Sequence, residues 1–84
     1  MIFTQGERAT PAKRVLDIIR DSDGMSPYEV YRHTQLVAST RDAEWFCREL
    51  YRVGLVTPST EGRACWHAVA MDTAECAERL KQVR

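Results

Sequence analysis

The sequence predicts an α+β domain, with three helices forming a core, a β-hairpin and a closing helix. Three observations carry this expectation. Helix-capping residues followed by apolar stripes of helical period recur after Thr10-Pro11, Ser26-Pro27 and Ser39-Thr40. Two short β-prone runs, Leu55–Thr57 and Ala64–Val69, flank a segment dense in turn formers, Pro58–Arg63. A further cap, Asp72, precedes a last striped segment that reaches Val83.

Residues 1–9 carry no clear signal; Ile2 and Phe3 either pack on the domain or fray with the terminus. In the first helix Thr10 is the N-cap and Pro11 takes the first helical position. Ala12, Val15, Leu16 and Ile19 share one face, and Asp23-Gly24 is the expected stop, with Gly24 in the left-handed C′ position. Ser26, Pro27 and Glu29 form a capping-box pattern for a second, short helix running to about His33 or Thr34. Its core residue is Val30, with Tyr28 or Tyr31 beside it. Gln35–Ala38 reads as a turn holding one or two buried apolar side chains.

Ser39-Thr40 opens the third helix, which runs through Val53 and stops at Gly54. At about 100° per residue, Ala43, Phe46, Cys47 and Leu50 fall on one face, with Val53 at its edge. Arg41, Trp45, Arg48 and Arg52 fall on the opposite face. This separation is the most informative feature of the chain. In the returning strand Trp66 alternates with Ala64 and Ala68, which marks it as a core contact. Asp72 and Glu75 form another capping-box pattern, opening a helix through Cys76, Ala77, Leu80 and Val83. Its stripe either packs back on the first helix or pairs with a twin, which leaves the chain a monomer or a homodimer through the C-terminal helix.

The chain of 84 residues is expected to be one domain, with 10–69 as core and hairpin and 72–84 as the closing helix. At 44% hydrophobic residues the core is small, and few side chains remain to build a substrate cavity. The 12 basic and 12 acidic residues cancel, which weighs against strong non-specific binding to nucleic acid unless the fold sorts them onto different faces. Three cysteines, an odd number without a CxxC pair, read as reduced residues of a cytoplasmic protein. Neither a signal peptide nor a run of membrane-spanning length is visible. Cys47, Cys65 and His67 do not make a four-ligand zinc set, and no group orients a Cys-His nucleophile. No metal, no cofactor and no enzyme chemistry are expected.

The stretch Ser26-Pro-Tyr-Glu-Val30, Leu36, Ser39 and then Leu50-Tyr-Arg-Val-Gly54-Leu55-Val56 resembles the winged helix-turn-helix superfamily. Its members show a capped second helix, a turn with a small apolar plug, and a third helix ending Leu-x-x-x-Gly-Leu-hydrophobic. The resemblance covers roughly residues 10–69. It implies that the third helix enters a DNA major groove, with Arg41, Trp45, Arg48 and Arg52 outward. Ser39 and Thr40 at the helix start would meet phosphate or base edges, and Arg63 would be the wing-tip contact. The implied function is DNA binding in transcriptional control. The alternative is a protein-interaction module, because Trp and Arg are enriched at protein interfaces and the third helix balances its three arginines with Asp42, Glu44 and Glu49. For Trp45 the further alternative is a contact with the wing or with Tyr31.

Overall fold

A computed structural model describes residues 10–59 and 65–83. The elements run α1 (Pro11–Arg20), α2 (Pro27–His33), α3 (Thr40–Arg52), β1 (Val56–Pro58), β2 (Trp66–Ala68) and α4 (Thr73–Leu80). Each helix starts where a short polar side chain can accept from an otherwise orphaned N–H. The Thr10, Ser26, Ser39 and Asp72 side chains accept from Lys13, Glu29, Asp42 and Glu75 N–H, respectively. At α2 the capping box is complete, since the Ser26 N–H donates back to Glu29 Oε1 at 2.9 Å. At α4 only half of the expected box forms, because the Glu75 carboxylate turns to Arg79 at 2.8 Å.

The first helix stops earlier than Gly24. Its C-cap is Asp21. The Ser22 hydroxyl donates to the Ile19 carbonyl at 2.8 Å and accepts the Gly24 N–H at 3.2 Å, which turns the chain before the glycine is reached. Gly24 still needs its conformational freedom, for a different reason. It has φ +115°, and a Cβ there would lie 2.6 Å from His67 Cε1. Gly24→Ala is therefore expected to cost about 1–3 kcal/mol from backbone strain alone. Chemical denaturation measures it, and an unchanged midpoint would refute the argument.

The end of α3 is a full Schellman motif. Gly54, with φ +85°, donates to the Tyr51 carbonyl at 3.0 Å, and Leu55 N–H donates to the Leu50 carbonyl at 2.8 Å. Leu50 and Leu55 are both fully buried, so the hydrophobic contact that accompanies this motif is part of the core.

The two strands pair antiparallel, with Val56 opposite Ala68, Thr57 opposite His67 and Pro58 opposite Trp66. The first strand thus begins one residue later than the pattern of Leu55–Thr57 and takes in Pro58. Main-chain bonds Ser59 N–H to Cys65 and Val69 N–H to Leu55 bracket the pairing. Their alternation leaves Pro58 at a site where no ladder donor is required, so its missing N–H costs nothing. For the same reason the Trp66 N–H and carbonyl face away from β1. They pair reciprocally with Met25, at 2.8 and 3.1 Å, so the link between α1 and α2 is bridged to the far side of the hairpin.

The core joins Val15, Leu16 and Ile19 of α1, Val30 of α2 and Val37 of the turn to Ala43, Cys47 and Leu50 of α3. Leu36, the other apolar candidate in the turn, is exposed. Phe46 and Trp66 are half-buried against this core. From the closing segment Cys76 is buried, and Met71, Leu80 and Val83 pack partly against the core, while Ala74 and Ala77 stay exposed. No helix among the described residues is long and apolar enough to cross a membrane.

Candidate functional site

The outward stripe of α3 is the best-defined polar surface that the sequence anticipates. Helical geometry sets it: Ala43, Cys47 and Leu50 are buried, so the side chains about 180° away must face solvent. Arg41, Trp45, Arg48 and Arg52 are all exposed. Trp45 keeps 42% of its surface accessible, with its ring edge-on to Phe46 at a centroid distance of 4.9 Å. It shows no ring contact with Tyr31.

The three arginines are not equivalent. The Arg41 side chain makes no hydrogen bond or ion pair among the described residues. Arg48 donates twice to Glu44 Oε2, at 2.8 and 3.2 Å, along one helix turn. Its side chain is 72% accessible. An exposed i,i+4 pair of this kind contributes about 0.3–0.5 kcal/mol, so a phosphate or a guanine edge can displace Glu44 at little cost. Arg52 is committed. It donates to Glu49 Oε1 at 2.7 Å and to the Gln82 carbonyl at 2.9 Å, and the Glu49 hydrogen bond raises its pKa further. It therefore holds the closing segment against α3.

The start of α3 divides in two. The Ser39 hydroxyl is occupied as N-cap, accepting the Asp42 N–H at 3.1 Å. The Asp42 carboxylate in turn accepts the Ala38 N–H at 3.1 Å, which stiffens the entry to the helix. Thr40 sits on the hairpin side, lining an apolar recess with Tyr28, Pro58 and Trp66. It is not on the arginine stripe. Arg63 lies outside the described residues, as do Thr60 and residues 1–9.

Two arrangements escape a reading along the chain. Arg79 is anchored by Glu75, and its Nη1 donates to the Val53 carbonyl at 2.8 Å, at the C-terminal end of α3. Together with Arg52 and Gln82 it clasps α4 to α3 from both sides. The second is a concavity of about 710 Å³ at the α2–α3 turn, lined by Arg14 of α1 and by Arg32 and His33 of α2. Neither is local in sequence, and only the fold brings the partners together.

Cys47 is buried beneath α3, and desolvation, with the nearby Glu44 charge second, pushes its thiol up to about 12. At neutral pH it is a protonated, apolar core residue rather than a thiolate. Among the described residues no three His, Cys, Asp or Glu side chains converge to hold a metal ion. No protein-family profile matches the chain, and neither a curated protein nor a solved structure is significantly similar to it.

Proposed function

We propose that the chain is a winged-helix DNA-binding protein, a small transcriptional regulator of the cytoplasm that reads the major groove with α3. The observation that carries this reading is the outward stripe Arg41, Trp45, Arg48 and Arg52 on a 13-residue helix capped at both ends. A B-form major groove is about 12 Å wide and admits one such helix. Arg41 and Arg48 are the base-reading candidates, since one is unpaired and the other only loosely held. Trp45 has the apolar area to meet a thymine methyl or a sugar edge. The hairpin beside α3 acts as the wing.

Zero net charge is compatible with this role, because the Arg48–Glu44 pair is exposed and exchangeable with phosphate, while Glu49 is already taken up by Arg52. The competing reading is a protein-interaction surface, favoured by the accessible Trp45 and the two arginine–glutamate pairs that neutralise the stripe. Salt separates the two. An amide-resolved NMR titration with mixed-sequence duplex at low and then moderate salt is expected to shift residues 39–52 and to lose those shifts as salt rises. Absence of shifts at low salt would remove DNA as the partner.

A further inference from the structure

The stripe on α3 leaves one cationic surface unexplained. Arg14, Arg32 and His33 line the concavity beside the α2–α3 turn, together with Tyr31, Thr34 and Gln35. Among the described residues no acidic side chain lines it. The Arg14 and His33 side chains make no hydrogen bond or ion pair among the described residues. Arg32 is held but not neutralised: its guanidinium donates to the Tyr28 hydroxyl at 3.0 Å and lies 5.8 Å from the Tyr28 ring centroid. That contact fixes its direction and leaves its charge whole. Asp42, whose carboxylate accepts the Ala38 N–H and keeps its charge, is not part of the lining. The end of α2 adds at most about half a negative charge, against two full guanidinium charges.

Cations left uncompensated around one concavity are repulsive in the free protein and call for an anion. The site is planar-donor chemistry: guanidinium forks and an imidazole N–H suit the tetrahedral oxygens of phosphate. Its place in the fold names the source. The turn runs through Ala38 directly into Ser39 and Thr40, so the concavity borders the entry of α3. None of the described hairpin residues lines it. A helix seated in a major groove has a phosphate strand along each side. The hairpin can address only one of them.

We infer that this concavity binds a backbone phosphodiester of duplex DNA, on a strand that the hairpin does not reach, through Arg14, Arg32 and His33. This rests on the proposed DNA reading and adds a second anchor to it. Such an anchor positions α3 in the groove without reading sequence. Salt dependence should therefore register it even on a duplex of mixed sequence.

The test is the double variant Arg14→Ala/Arg32→Ala, both at exposed helix positions where Ala is a strong helix former. Far-UV circular dichroism and Tm should match the parent. Duplex affinity by fluorescence anisotropy is expected to fall about tenfold at low salt, and the slope of log K against log salt to shrink by about 2, near 0.9 per phosphate lost. Unchanged slope in a variant that still binds overturns the inference and leaves the α3 reading intact. If the parent binds no duplex, the α3 reading and the DNA source fail together. Titration with inorganic pyrophosphate then decides the pocket itself: shifts at residues 31–38 that vanish in the variant retain it as a free-phosphate site, and no shifts overturn that as well.

Discussion

Leu50→Ala is expected to lower the free energy of unfolding by about 2–5 kcal/mol, measured by urea denaturation with the m-value held constant. Leu50 is fully buried, on the face of α3 that meets Leu16, Ile19, Val30 and Leu55 in one cluster. Truncation removes the transfer free energy of its side chain and leaves a cavity that capped helices cannot easily collapse into. A domain of 84 residues has roughly 4–12 kcal/mol to lose, so this single change takes between a sixth of its stability and all of it. The control is Leu36→Ala, at 46% exposure, which should stay within about 0.5 kcal/mol of the parent. A cost below about 1 kcal/mol at Leu50 would show that the buried face of α3 is wrongly assigned. The arginine stripe would then be misplaced as well, since the two faces are defined by each other.

The second large effect is functional. Arg41→Ala/Arg48→Ala is expected to weaken specific duplex binding at least about thirtyfold, because each bidentate arginine–guanine contact is worth about 1–3 kcal/mol and each 1.4 kcal/mol is tenfold. Thermal stability should barely change: Arg41 has no partner among the described residues, and Arg48 loses only one exposed helix pair. Arg52 is left out of this variant deliberately. Its removal would release Gln82 and confound binding with docking of α4. Fluorescence anisotropy on a selected operator reads the outcome. Undiminished affinity with intact fold would move the contact away from α3, to the hairpin or to a protein partner.

The helix starts were legible because each depends on two or three adjacent residues. Ser26, Pro27 and Glu29 specify an α2 start with no help from the rest of the chain, and Asp72 does the same for α4. The two faces of α3 were legible for a related reason: a 13-residue helix turns through more than three full periods, enough to separate buried Ala43, Cys47 and Leu50 from Arg41, Trp45 and Arg48. Even the Arg48–Glu44 pair follows from spacing.

What was not legible is side-chain capping that competes with a glycine stop, and contact between distant residues. Ser22 stops α1 through its hydroxyl, although Gly24 is the louder signal. The first strand starts one residue later than its pattern and takes in Pro58, which is tolerated because the pairing with β2 places it at a site that needs no ladder donor. The occupied side of Arg52 depends on a carbonyl 30 residues away. Arg14 and Arg32 lie on different helices with no shared pattern, so their common concavity exists only after α1 and α2 have packed.

The clasp between α3 and α4 has a consequence for how the chain can vary. Both of its long-range bonds end on main-chain oxygens, those of Val53 and Gln82. A main-chain oxygen is the same whatever side chain is attached, so exchange of Gln82 for another polar residue should leave the grip intact. Arg52 and Arg79 have no such latitude. Arg79 holds Glu75 through Nε and Nη2 and the Val53 carbonyl through Nη1, and Arg52 holds Glu49 through Nε and Nη2 while Nη2 also reaches the Gln82 carbonyl, a fork that the single ammonium of lysine does not reproduce. Tolerance to substitution at this joint is thus lopsided, confined to the acceptors and denied to the donors.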